Sequence, residues 1–313
     1  MNRKFSELLK ASFKSDDTEE WLDVHFTRPI GLAFALMWEK LGVHPNAITI
    51  LSIFLGVGAG WMFQYTDIES NLWGVVLLMF ANFCDSTDGQ LARLTGKKTL
   101  VGRVLDGFSG DVWFFAIYLA IVFRIWNDPI PFVGYHWGIA GFLLCLTAGV
   151  ICHSPQSSLA DYYRQIHLYF LLGKKGSELD DSASQIKKYE ELTWTGNFIG
   201  KLFYKNYAAY CRSQEKRTPK FQAFFREVKR RYPDAEQMPQ ELRDEFRRGS
   251  LPLMKYTNLL TFNTRAILIY ITCLANVPYI YPLMELTVYW AMYAHMHKTH
   301  ERMCECLLEE MKN

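Results

Sequence analysis

The sequence predicts an all-α protein that crosses a membrane several times. Apolar windows long enough for a bilayer core, which takes about 20 mainly apolar residues per helix, recur along the 313-residue chain. One long charged window, from about Lys174 to Arg248, interrupts them. The mean hydropathy of −0.04 is therefore a sum of two unlike parts rather than the mark of a soluble globule, since half the residues are hydrophobic and 15% are aromatic. A net charge of +2 gives no basic surface of the kind a nucleic-acid partner needs, and none is expected.

The N-terminal run MNRKFSELLKASFKSDDTEEW has no apolar core and no small-residue cleavage site, so no cleaved signal peptide is expected. Phe26–Leu41 follows, with Pro29 suited to a helix start and Gly42 to a stop. It is short for a span and reads as an interfacial helix, or else as the beginning of the first span. Six windows then read as transmembrane helices: Ala47–Tyr65, Leu72–Asn82 running on into an acidic stretch, Val104–Trp126, Tyr135–His153, Thr261–Ala275 and Tyr279–His295. The insert between the fourth and fifth alternates in charge at helical spacing and reads as a solvated helical cap. Lys216, Arg217, Lys220, Arg226, Lys229, Arg230 and Arg231 offer an alternative contact with anionic headgroups. The expected organisation is an N-terminal segment with the interfacial helix (1–44), four helices carrying the acidic stretch 85–111 (45–170), a charged insert (171–255), and two helices with a tail (256–313).

Sidedness follows from the Lys/Arg distribution. The loops Thr66–Asn71 and Asn127–Gly134 have no Lys or Arg, whereas Arg93, Lys97, Lys98, Arg103 and the insert lie on the other side. A multi-pass protein is expected, with the acidic stretch, the insert and both termini cytoplasmic. The seven cysteines read as small buried hydrophobes; Cys304 and Cys306 alone form a weak metal pair.

The stretch DSTDGQLARLTGKKTLVGRVLDGFSGD puts four carboxylates at membrane helix ends, where ionisable groups are costly and mark function by default. At roughly 100° per residue, Asp85, Asp88, Gly89, Ala92 and Arg93 share one helix face. Carboxylates so placed can share Mg²⁺, which takes oxygen ligands and substrate phosphates. Gly89 and Ala92 leave room for a bulky ligand, and Arg93 can offset acid or touch a phosphate. Across a turn at LTGKKT, Gly102 and Asp106 face the same way, so Asp106 can close the site. Pairing of the aspartates with Arg93 and Arg103 is the structural alternative, but it leaves acid in excess.

With these residues in order, the chain resembles the CDP-alcohol phosphotransferases, whose signature is D-x2-D-G-x2-A-R, eight or nine residues, then G-x3-D-x3-D. Asp85, Asp88, Gly89, Ala92, Arg93, Gly102 and Asp106 match it, and Pro45 to Thr49 resembles the family's lead-in to the first span. The resemblance covers residues 26–165 well and the last two spans loosely. It implies that Asp85, Asp88 and Asp106, with Asp111, hold one or two divalent ions, Mg²⁺ or Mn²⁺, on the pyrophosphate of a CDP-linked donor. Gly89, Ala92, Arg93 and Gly102 then bind the CDP moiety. Asp111 serves as the base that deprotonates an acceptor hydroxyl, CMP leaves, and a homodimer forms.

One position departs from the pattern. The last aspartate should fall at 110, which is Gly110, and the carboxylate comes at Asp111. On a regular helix Asp111 points roughly 140° away from Asp106. A π-turn, made cheap by Gly107 and Gly110, is expected to bring it back. His153, Gln156 and Arg164 are candidates for an acceptor pocket, with an Asp161–Arg164 helical pair as the plainer reading. His295, His297 and His300 share no face. The function expected is transfer from a lipid-linked CDP donor, such as CDP-diacylglycerol, to a small polyol or its phosphate (inositol, inositol phosphate or glycerol phosphate). DGQLAR favours that branch over the amino-alcohol one. A CDP-linked small alcohol with a lipid acceptor, a cation or solute carrier, and an inactive member of the family are the alternatives.

Overall fold

In the computed structural model, which describes residues 5–13 and 15–312, the chain is helical, and among those residues no strand forms beyond one isolated bridge, Pro129 to His136. Residues 1–4 of the expected N-terminal segment lie outside the described residues. The chain divides into two compact units. The first takes residues up to 14, 19–154 and 262–288; the second takes 15–18, 155–261 and 289–313.

In the first unit, α1 (Phe5–Ser12) leads through a π-turn, Asp23–Thr27, into α2 (Arg28–Lys40). Three longer helices follow: α3 (Pro45–Phe63), α4 (Ile68–Thr95) and α5 (Leu100–Ile125). Their ends are written in the sequence. Pro45 sits in the first turn of α3, where a missing N–H costs nothing, and the amide of Asn46 donates to His44 Nδ1 at 3.2 Å. Asp67 caps α4 by accepting from Ser70 N at 2.8 Å. Gly96, at φ 69°, closes α4 in the left-handed conformation that suits glycine. Thr99 starts α5 by accepting from Gly102 N at 2.9 Å. The LTGKKT turn thus separates two helices, as expected.

α3 packs closely on its neighbours because small residues line its contacts. A Cβ on Gly60 would stand 2.9 Å from the backbone carbon of Ala116, and one on Gly56 would enter the Trp113 ring. α2 lies on α4, with Gly31 against Ser86 and Gln90, and Ala35, Ile48 and Leu91 form a small apolar cluster. The outward faces remain apolar: Phe54, Trp61, Phe115 and Phe123 are all exposed. At the far end of α5 the guanidinium of Arg124 donates to the carbonyl oxygens of Phe63 and Cys273 and to the side-chain oxygens of Asn71 and Asn276, at 2.7–3.0 Å. It is a buried cation whose two terminal nitrogens are bonded, Nε having no partner, and two of its acceptors, the Phe63 and Cys273 carbonyls, lie at helix C-termini where the dipole favours a cation.

α6 (Gly138–Leu146) runs through a π-turn, Thr147–His153, into α7 (Ser154–Leu172) as one helix. The fourth window therefore continues past His153, where it was expected to end. Pro155 has no N–H to give an α-helical bond, and the π-turn just before it absorbs that loss. After α12 (Phe262–Leu274), α13 (Ile280–Met284) passes through a further π-turn, Glu285–Tyr289, into α14 (Trp290–Lys312). Among the described residues, three helices are long and apolar enough to cross a membrane: Pro45–Phe63, Leu100–Ile125 and Gly138–Leu172.

The second unit contains α7 from Pro155 onward, α8 (Ser182–Glu191), α9 (Phe198–Arg217), α10 (Pro219–Arg231), α11 (Gln240–Leu259) and α14. The insert does not close on itself. Its Phe221, Phe224 and Phe246 are fully buried together with Phe170 of α7, whose ring stacks on Phe246 at 3.8 Å. Glu301 of α14 accepts from the backbone N–H groups of Lys220 and Phe221, satisfying donors at the start of α10. Six of the cysteines are buried or half-buried and Cys306 is exposed; all are free thiols.

Candidate active site

α4 and α5 place the acidic residues. Asp85 and Asp88 project from the last turns of α4, and Asp106 comes from the second turn of α5 across the Gly96–Thr99 turn. One ligand oxygen from each of the three lies within 4.8 Å of the others, and among the described residues no other group of His, Cys, Asp and Glu meets that test. Asp88 is only 4% exposed, and its Oδ2 has no hydrogen-bond donor. A buried carboxylate oxygen without a donor is costly, and a cation held among three carboxylates removes that cost. The donor set, all hard oxygens, fits Mg²⁺ or Mn²⁺. Ser109, three residues past Asp106, donates to Asp85 Oδ1 at 2.8 Å and fixes the orientation of that carboxylate.

The cluster opens into a cleft of about 300 Å³ lined by Ser12, Asp23, Thr27, Arg28, Asn82, Asp85, Ser86, Gly89, Gln90, Arg93 and Asp106. Gly89 and Arg93 line this cleft beside the carboxylates. Ala92 is half-buried beside them. Gly102 serves a packing role, since a Cβ there would come within 2.7 Å of Asn46 Oδ1 in α3. The N-terminal wall of the cleft was not expected. Arg28 is held by Glu19 at 2.7 Å and by the carbonyl of Ser12. Its own carbonyl accepts from Gln90 Nε2 at 3.2 Å, which ties the start of α2 to α4. Asn263 of α12 donates to Glu20 and Asp23 at 2.7 and 3.0 Å. Nothing in the spacing of residues 12–28 signals that this segment reaches the motif; the packing of Gly31 on Ser86 and the Gln90 bond to the Arg28 carbonyl bring it there.

The expected π-turn between Asp106 and Asp111 is absent, and this corrects the sequence reading. α5 is a regular α-helix from Leu100 to Ile125. Asp111 is exposed, lies outside the three-carboxylate group and is not among the residues lining the cleft. Gly107 and Gly110 would permit a distortion, but a Cβ at either would meet nothing within 4 Å, so no packing contact enforces one.

His153 does not line the cleft either. It belongs to a buried network that the sequence reading missed. Arg265 of α12 donates to His153 Nδ1 at 2.8 Å and pairs with Glu285 Oε1. Tyr281 donates to the same carboxylate oxygen at 2.8 Å, and Tyr118 donates to Tyr281 at 3.2 Å. An arginine only donates, so His153 Nδ1 accepts and its proton sits on Nε2. The histidine is then neutral, and the network balances one cation against one anion. In the second unit, Gln156 is fully buried and Arg164 donates to Asn258 Oδ1 at 2.9 Å. His153 thus belongs to the first unit, and Gln156 and Arg164 to the second. A signal was present: Arg265 and Glu285 are ionisable residues inside the fifth and sixth apolar windows.

The sequence profile of the CDP-alcohol phosphatidyltransferase family matches residues 42–162. Residues 42–162 are a CDP-alcohol phosphatidyltransferase domain. The matched region contains α3, α4, α5 and all three carboxylates, and it ends before the insert. An archaetidylinositol phosphate synthase of Pyrococcus horikoshii is 33% identical over 67 residues, which are 21% of this chain and 34% of the synthase. An uncharacterized protein of Aquifex aeolicus is 42% identical over 67 residues, 21% of this chain and 33% of that protein. The chain thus spans about a third of the length of the curated relatives it matches. No solved structure matches. The family is one of transferases of phosphate-containing groups, and the phosphatidyltransferase domain places the protein in a membrane.

Proposed function

We propose that the protein transfers a phosphate-containing group from a CDP-linked donor to the hydroxyl of an alcohol, releasing CMP. The observation that carries this reading is the oxygen cluster of Asp85, Asp88 and Asp106 at an open cleft, with a buried oxygen of Asp88 lacking a donor. These three residues would hold the divalent ion or ion pair. When bound, Mg²⁺ or Mn²⁺ supplies neutralisation of the pyrophosphate and of charge developing in an in-line displacement.

The chain's own residues do the rest. Asp88 anchors the site from below, and Ser109 orients Asp85. Gly89 leaves the cleft wall without a side chain, and Arg93 presents a guanidinium to a phosphate oxygen. The acceptor oxygen bonds to phosphorus, the bond from phosphorus to the CMP oxygen breaks, and the hydroxyl proton passes to a carboxylate within hydrogen-bond reach. The exposed Asp106 meets that requirement better than Asp111, which is turned off the site by the regular α5.

The donor we favour is lipid-linked and the acceptor a small polyol or its phosphate. The DGQLAR stretch supports this, as does the name of the Pyrococcus relative, a synthase of an inositol phosphate lipid. Six spans, with α2 at the interface and the site, insert and both termini cytoplasmic, follow from the apolar windows and the Lys/Arg distribution. A homodimer follows from the resemblance alone.

The test is CMP release by purified protein across CDP-linked lipids and CDP-linked small alcohols, each with polyol and lipid acceptors. Metal-dependent CMP release from a lipid-linked donor is expected. Release from small-alcohol donors alone would reverse the donor and acceptor. No release from any donor, with a metal site intact by thermal shift, would sink the transferase reading.

A further inference from the structure

Three of the seven basic residues with an alternative role in headgroup contact are paired within the protein. Lys220 pairs with Glu305, and Arg230 and Arg231 pair with Glu227. α10 turns its apolar face inward, burying Phe221, Phe224, Phe225 and Val228. α9 behaves differently. It buries Gly200, Ala208, Cys211 and Gln214, yet its opposite face is also apolar at the N-terminal end. Trp194, Phe198, Ile199 and Leu202 are 45%, 59%, 56% and 42% exposed. At roughly 100° per residue, Phe198, Ile199, Leu202, Lys205 and Ala209 fall on one face, and Lys205 and Arg212 are exposed. Lys201 lies over the rings of Tyr189 and Trp194 at 4.3 and 5.7 Å, and α8 adds the exposed Lys187 and Lys188.

We propose that this face, formed by Trp194 and the N-terminal half of α9, docks on the lipid bilayer surface. Trp, Phe, Ile and Leu set beside Lys and Arg are what an interfacial helix needs: an apolar face that enters the headgroup boundary and cations that stay with anionic headgroups. Lysines near its tip can bury their stems and keep the ammonium in water. The bilayer is within reach, because the insert is joined to the helix Gly138–Leu172, which by length and composition can cross a membrane. A second copy of the chain is a poorer occupant. A two-fold contact sets a surface against its own image, and on the α9 face that image carries Lys205 and Arg212 with no acidic residue beside them.

The experiment uses the full chain, with Cys306→Ser removing the exposed thiol, in nanodiscs of phosphatidylcholine and phosphatidylglycerol that carry one copy each. A nitroxide is attached at Ile199→Cys and, as an aqueous reference, at Arg226→Cys on α10, which is exposed. The label at 199 should be several-fold less accessible to a water-soluble nickel chelate than the label at 226, and several-fold more accessible to oxygen. Adding Phe198→Ser and Leu202→Ser should abolish that protection while the helical circular dichroism stays unchanged. Equal nickel access at both positions would overturn the proposal. So would protection that survives the serine pair, or protection that appears only in discs carrying two copies, which would assign the face to a second chain.

Discussion

Two clusters of ionisable side chains lie within the helices of the first unit, and they are opposites. At the end of α4 and start of α5, three carboxylates converge on an open cleft, and a buried oxygen of Asp88 has no donor. Between α5, α12 and α13, Arg265 and Glu285 are both 0% exposed and pair with one another, with His153 bonded to Arg265 and Tyr281 to Glu285 Oε1. Charge inside a membrane protein is a ligand site where acid is in excess and the cavity is open. Where charge is balanced and sealed, it is part of the fold. His153 was assigned to the first kind from its position at a helix end, and the structure places it in the second.

The comparison breaks most decisively at Asp106. Asp106→Asn should lower CMP release by about 10³-fold or more, since the metal contribution is worth several kcal/mol, while the melting midpoint without metal does not fall. A readout independent of turnover comes from linkage. Mg²⁺ at about 100 times its dissociation constant should stabilise the wild type by about 2.7 kcal/mol, and Asp88→Asn should remove that shift. A metal-induced stabilisation that persists in Asp88→Asn would take the ion elsewhere.

The sealed network should respond the other way. Glu285→Gln leaves Arg265 buried without its anion, at a cost of about 3–5 kcal/mol. Arg265→Met combined with Glu285→Leu should recover most of the melting midpoint, because an apolar replacement of a buried pair is often neutral. CMP release per folded molecule should stay near wild type in the double variant. A double variant that folds but has lost turnover would merge the two clusters into one site.

The helix–turn–helix around the cleft was legible because local chemistry writes it. The Asp67 and Thr99 caps, Gly96 at the turn, and one face shared by Asp85, Asp88 and Gly89 all act over a few residues. The network was not, because His153 and Tyr118 meet their partners Arg265 and Tyr281 across more than a hundred residues of sequence, and two members, His153 and Glu285, sit in π-turns. A π-turn was sought where two glycines allow it, after Asp106. It formed instead beside Pro155, where a missing N–H calls for one, and at Glu285, where the carboxylate must meet Arg265. The N-terminal wall of the cleft was invisible for the same reason: Arg28 and Asp23 reach the motif only through tertiary contacts, the Gly31 packing and the Gln90 bond to the Arg28 carbonyl among them. Asp111 tests this lesson. With α5 regular, Asp111→Asn should cost less than about tenfold in CMP release, against near-complete loss in Asp106→Asn. Equal losses would show that α5 distorts when substrate binds.

A balanced pair that stays wet should sit between the two extremes. In the second unit Asp17 accepts from Arg247 Nε and Nη2 at 2.6 and 2.8 Å and lies 3.2 Å from His167 Nε2. The hydrogen bonds from Arg247, reinforced by His167 and opposed by burial, hold its carboxyl below the ordinary value. A carboxylate with a lowered folded pKa contributes stability that is fully present above its unfolded pKa, about 3.9. That contribution disappears as pH falls through the folded value. Arg247 is 45% exposed, so solvent screening keeps the contribution of the pair small. Asp17→Asn should therefore lower the melting midpoint by a small, constant amount near neutral pH, with the difference shrinking below about pH 4. The sealed Arg265–Glu285 pair, by contrast, should give a larger loss on Glu285→Gln. If Asp17→Asn cost as much as Glu285→Gln, burial would no longer separate the two kinds of pair.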